Sequence, residues 1–159
     1  MIKDKNQAII DFLLTCPAIA ENPLYFNFLN AQDNTKQVVT QANDIAINRR
    51  YIDGSIMKRF TFTLVDFRSV VYQPVPLDPL YISENVEEIV DIQEIMDWVN
   101  EQAELNNYPD FGDDCVIDEM KTTSNNPNLN GVDTQVTPAL AKYSMSIQID
   151  YLDKSKAIF

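Results

Sequence analysis

Residues 45–67 read IAINRRYIDGSIMKRFTFTLVDF, and Asp53-Gly54 at their centre divides two runs of alternating apolar character. An Asp-Gly pair between alternating runs is the strongest short-range signal for a tight reversal of extended chain, so the stretch predicts a β-hairpin. In the second arm Ile56, Phe60, Phe62 and Leu64 share one face, while Arg59, Thr61 and Thr63 share the other. This is the period of a half-buried strand, with an aromatic core face.

A partner strand is written near the end of the chain. From Lys142 to Tyr151 the odd positions are Tyr143, Met145, Ile147, Ile149 and Tyr151, and the even ones are Lys142, Ser144, Ser146, Gln148 and Asp150. No helix gives that alternation. One-sided strands belong to antiparallel or mixed sheets with one face on a core. The expected fold is therefore α+β: a mainly antiparallel or mixed sheet covered on one face by two helices, with extended loops.

The helices come from the remaining periodicity. Ile2, Ile9, Ile10, Leu13 and Leu14 make an apolar stripe over residues 3–15, stopped at Pro17. A longer helix is expected from Val86 to Asn106, capped by Asn85 with Glu88 returning the bond of a capping box. Its stripe is Ile89, Ile92, Met96, Val99 and Ala103, widened by Ile95 and by Trp98, the single tryptophan, read as a core anchor. The expected core is thus Phe60, Phe62, Leu64, Ile92, Ile95, Met96, Trp98, Val99, Tyr143, Met145, Ile147 and Ile149. Further strands are expected over 24–29, 37–41 and Cys115 to Thr122, the last alternating weakly through Val116, Asp118 and Met120. Residues 69–83, with Pro74, Pro76 and Pro79, read as an extended arm with neither regular helix nor central strand. Val70, Val71, Val75, Leu77 and Tyr81 are its apolar contacts. Residues 123–138 read as a long polar loop or ragged hairpin tip, and 153–159 as a tail that docks on a neighbour or frays.

A chain of 159 residues is most economically one domain, 1–159, large enough to bury roughly 70% of its unfolded surface without a disulfide or metal staple. Cys16 and Cys115 stand in no ligand-like spacing and read as buried free thiols in a reducing compartment. No apolar run approaches a membrane span, and no secretory signal pattern opens the chain. The expected site of synthesis is the cytosol, without membrane association.

The composition excludes chemistry more firmly than it assigns it. Histidine is absent, which removes histidine-based triads and the commonest metal ligand. The three glycines, Gly54, Gly112 and Gly131, are isolated, so no glycine-rich phosphate cradle exists. Asp110-Phe111-Gly112 imitates the metal-binding tripeptide of protein kinases but lacks the lysine strand and catalytic loop that give it meaning. Asp110, Asp113 and Asp114 lack the spacing of a calcium loop. No catalytic residue, cofactor or metal is expected.

A formal charge of −12 disfavours a grip on nucleic-acid phosphate. The charge is unevenly spread. Glu87, Glu88, Asp91, Glu94, Asp97, Glu101 and Glu104 make an acidic helix face without neutralising lysines at i+4, whereas Arg49, Arg50, Lys58, Arg59 and Arg68 gather in or near the hairpin. Solvation explains the first and cross-strand pairing the second. The asymmetry also allows a head-to-tail contact between copies, and such contacts close into rings when the rotation permits. The expected interface comprises Arg49, Arg50, Tyr51, Asp53, Lys58, Arg59 and Arg68 on one side and Glu94, Asp97 and Glu101 on the other.

The run Arg50-Tyr51-Ile52-Asp53-Gly54-Ser55, the strand with Phe60 and Phe62, the helix with Ile95 and Trp98, Pro109 beyond it and the final Lys142 to Tyr151 strand together resemble the tail terminator, or minor capsid, proteins of tailed phages of Gram-positive bacteria. The resemblance spans most of the chain in order of elements. It implies an α/β subunit, without catalysis, that assembles as a ring, commonly hexameric. Such a ring caps the tail tube and joins it to the head connector or neck proteins. The Asn-rich stretch 124–130 and the acidity depart from the family pattern. A head-completion protein and an acidic DNA mimic that binds a host factor are the alternatives.

Overall fold

The computed structural model describes residues 4–20, 24–26, 35–40, 45–70, 79–123, 127–135 and 139–158. Its centre is a pair of 15-residue antiparallel strands, β4 (Ile56–Val70) and β7 (Ala139–Asp153), in register from Ile56 opposite Asp153 to Val70 opposite Ala139. Each long strand carries two short ones on its outer edge. Along β4 these are β3 (Ile45–Arg50) and then β2 (Thr35–Thr40), with β1 (Leu24–Phe26) parallel to β2 at the margin. Along β7 they are β5 (Cys115–Thr122) and β6 (Asn128–Asp133), both antiparallel. The sheet is mostly antiparallel and curls into a half-barrel.

Two faces follow from the register. Phe60 lies opposite Ile149, Phe62 opposite Ile147 and Leu64 opposite Met145, and all six are buried, as are Tyr143 and Tyr151. All of these but Tyr143 form one cluster with Ala8, Ile9, Phe12 and Leu13 of α1 (Lys5–Leu13), Ile19 of α2 (Pro17–Ala20) and Ile95, Met96 and Val99 of α3 (Pro79–Glu104). Ile92 joins Ala141 and Tyr143 in a smaller cluster. Each large apolar side chain so buried contributes about 1.5–3 kcal/mol. Trp98 is half-buried and packs on the margin, its ring centroid 4.9 Å from that of Phe12.

The second face is not a bare solvent surface. Met57, Val65, Phe67 and Asp150 all point to it and are buried. Alternation of polarity distinguishes two faces of a strand, but it is blind to how far a curled sheet shelters the more polar one.

Several boundaries differ from the sequence expectation. The segment 69–83 is not an extended arm throughout: β4 runs on to Val70 and α3 begins at Pro79. Pro79 is tolerated there because the first helical position has no intrahelical use for its missing N–H. Residues 71–78 lie outside the described ones. Asn85 sits inside α3 instead of capping it. Likewise Pro17 does not only end α1 but opens α2. The segment 123–138 contains a strand, β6, which β7 recruits through backbone bonds that its polar side chains do not advertise.

Local signals account for other ends. The Asp4 side chain accepts the Asn6 N–H (3.0 Å) and caps α1. At the far end of α3 Asn106 takes a left-handed conformation (φ 53°), and Asn107 N–H reaches the Gln102 carbonyl while Asn106 N–H reaches that of Ala103. This is a Schellman termination, with asparagine in the place usually held by glycine. In β5 the extra residue Asp118 makes a bulge between Ile117 and Glu119. Val116 is consequently exposed and Met120 buried, on opposite faces, although simple alternation places them together.

Candidate functional site: the hairpin tip and the acidic helix face

The turn between β3 and β4 is over-determined. Tyr51 N–H donates to the Ser55 carbonyl at 2.9 Å, and Gly54 N–H to that of Tyr51 at 3.0 Å. The Asp53 carboxylate accepts from both the hydroxyl (2.6 Å) and the N–H (2.9 Å) of Ser55, and these bonds hold its pKa below the ordinary value. Gly54 has φ +94°, and a Cβ there would meet the Lys156 carbonyl oxygen at 2.6 Å. The C-terminal segment lies against the turn, with Ile158 N–H donating to the Asp53 carbonyl and Lys154 N–H to that of Asp114, each at 2.7 Å. Residues 154–158 therefore dock on their own hairpin. Phe159 lies outside the described residues.

This scaffold pushes Tyr51 and Ile52 outward, 45% and 96% exposed. Arg49 and Arg50 are exposed beside them. Arg50 pairs in register with Ile56 on the helix side of the sheet, while Arg49 lines a cleft of 320 Å³ on the opposite side with Met57, Arg59, Asp118, Glu119 and Asp150.

The other hairpin cations are spent within the chain. Lys58 Nζ lies 2.8 Å from the Asp153 carboxylate. Burial by itself would raise the Asp153 pKa, but the hydrogen bonds from Lys58 and Ser155 outweigh it and hold the group at about 2. Arg59 grips Asp150 with two nitrogens, at 2.8 and 3.2 Å, which raises its own pKa further. Arg68 makes the same fork to Asp66, at 3.1 and 3.2 Å, and both side chains are buried. Lys58, Arg59 and Arg68, expected at an interface, are thus each paired with a carboxylate of their own chain. Residues two apart on a strand, or opposite or diagonal across a strand pair, sit within reach of each other, and a buried carboxylate claims the nearest cation. Asp53 is likewise turn architecture.

On α3, Glu94, Asp97 and Glu101 are exposed. They rim a groove of 290 Å³ whose apolar lining is Trp98 with Cys16, Pro17 and Ala18 of the α1–α2 corner. Among the described residues no cation pairs with any of the three acids. Gln93 donates to Asp97 at 3.0 Å, along the same helix. A wider groove of 690 Å³ separates α1 from residues 107–110, lined by Ala8, Phe12, Tyr108 and Pro109 with Asp4, Asp11 and Asp110.

Sequence reasoning named the acids and the arginines but missed Ile52 and the α1–α2 corner. A bare aliphatic next to Asp-Gly was a readable signal for the first. Nothing in the sequence places Cys16 to Ala18 beside Trp98.

The kinase-like tripeptide is a structural turn: Asp110 accepts the Gly112 N–H at 3.0 Å, and Phe111 packs edge-on against Phe60 and Tyr151. Lys5 lies 5.2 Å from the Tyr151 ring centroid, over the same aromatic group. Cys16 and Cys115 are free thiols, buried and half-buried. Among the described residues no cluster of cysteine and carboxylate groups could hold a metal, and no helix is long and apolar enough to cross a membrane. The arrangement thus presents two surfaces of opposite charge with apolar centres. No protein-family model matches the chain, and no curated protein matches it.

Proposed function

We propose that the protein is a phage structural component, a tail terminator whose copies form a ring on the end of the tail tube and join it to the head. The domain, 1–159, would be a sheet covered on one face by α1 and α3, holding its hairpin out toward a neighbour. The observation that carries this reading is the pair of unlike surfaces: a rigid tip with Arg50, Tyr51 and Ile52 exposed, and a groove rimmed by Glu94, Asp97 and Glu101. A subunit built this way adds copies head to tail, and head-to-tail contacts close into rings.

The partners are identical subunits, the tail tube protein and the neck proteins, in the virion and, during assembly, in the host cytoplasm. The ring works through shape, without catalysis, cofactor or membrane. Its net charge of −12 lets DNA pass the lumen by repulsion, with no sequence-specific grip. Electron microscopy of the purified protein mixed with tail tubes tests the reading. Rings capping one tube end are expected; bare tubes beside a persistent monomer overturn it.

The exposed acidic face favours one other reading, a DNA mimic that occupies a host factor. Capture of a host nuclease or transcription factor, abolished by charge reversal at Glu94, Asp97 and Glu101, would support that instead.

A further inference from the structure

We infer that the β3–β4 tip of one copy seats in the α2–α3 groove of the next, with Ile52 against Trp98 and the α1–α2 corner and Arg50 among the rim carboxylates. The inference rests on the self-assembly just proposed and names the surfaces that perform it.

Charge complementarity selects the occupant. The groove has an apolar lining and a rim of three carboxylates, so it calls for an apolar protrusion flanked by cations. The tip offers such a protrusion: Ile52 is 96% exposed, Arg50 stands two residues before it with exposed Tyr51 between them, and the Asp53 carboxylate on its other side is engaged by Ser55. Among the described residues no cation pairs with Glu94, Asp97 or Glu101, and no carboxylate pairs with Arg50. Glu94 and Asp97 are three apart and Asp97 and Glu101 four apart, so like charges face one another along the helix. Glu101 also stands in the last turn of α3, where the dipole is negative and no basic side chain offsets it. A neighbour's arginine relieves both. The tip is held by the Asp53–Ser55 bonds and by the docked C-terminal segment, so seating it orders little that is not ordered already. None of the tip residues lines the groove, so the two surfaces are distinct patches of one subunit, as a heterologous contact needs.

The experiment is a charge swap read by sedimentation velocity on the intact chain, alone and with tail tubes. Arg50→Glu and Asp97→Arg are each expected to weaken assembly by about tenfold or more, with unchanged circular dichroism because both sites are exposed. Mixing the two variants is expected to restore assembly. The substituted tip of one then meets the substituted groove of the other, and unchanged tip meets unchanged groove. Ile52→Asp is expected to abolish assembly. Rings that form regardless of all three substitutions, or that are lost in both charge variants and not regained on mixing, overturn the inference while leaving the ring itself standing. A wild-type chain that stays monomeric both alone and with tubes overturns the inference and the ring together.

Discussion

Asp153 shows how one carboxylate ties strand, hairpin and tail together. Its folded pKa of about 2 lies below its ordinary 3.8, a difference of about 2 kcal/mol in favour of the folded state. Because the folded value is the lower one, that stability is fully present above about pH 4 and is lost as pH falls through about 2. Asp153→Asn is expected to cost about 1–3 kcal/mol in urea unfolding at pH 7, and the gap from wild type should close at pH 2. Gly54 is a second such position. Gly54→Ala meets both the left-handed backbone (φ +94°) and the Lys156 carbonyl, so a loss of at least about 1 kcal/mol is expected. Hydrogen exchange at Ile158 should quicken with it, because its bond to Asp53 goes when the tail is displaced. Unchanged exchange at Ile158 would show that the tail holds without the turn.

At the scale of elements, β5 gives the sharpest test. Alternation makes Val116 and Met120 equivalent, but the bulge at Asp118 separates them. Met120→Asp should therefore cost several kcal/mol, about 3 or more, by burying an unpaired charge. Val116→Asp should fall within about 0.5 kcal/mol. Equal losses in thermal unfolding would contradict the bulge. The pairing of β4 with β7 makes a related point. Asp150 is buried and Arg59 is not, so Arg59→Ala strands a buried carboxylate, while Asp150→Ala frees a cation that water can reach. The first substitution should be the costlier, by about 1 kcal/mol or more. The hairpin, its faces and the α3 stripe were legible because each is a local pattern of two or 3.6 residues. The bulge and the strand β6 were not, because each depends on the pairing that the distant strand β7 supplies.

For the whole molecule, the question is how a chain of charge −12 would associate with itself. The proposed contact sets Arg50 against the acids of the groove rim, so salt should weaken it. Light scattering is expected to show less assembly at 1 M than at 0.1 M salt, where the screening length falls from about 10 to about 3 Å. An unchanged assembly would point to a purely apolar interface. The sequence by itself determined the turn at Asp53-Gly54, the aromatic face of β4, the matching face of β7 and the acidic side of α3, since these are written in residue type and spacing. Only the tertiary structure decided which cations remain available. Lys58, Arg59 and Arg68 are each paired with a carboxylate that folding brings alongside, two of them more than 90 residues away in the chain. Opposite charges reward proximity in space, and proximity between β4 and β7 exists only once the sheet has formed.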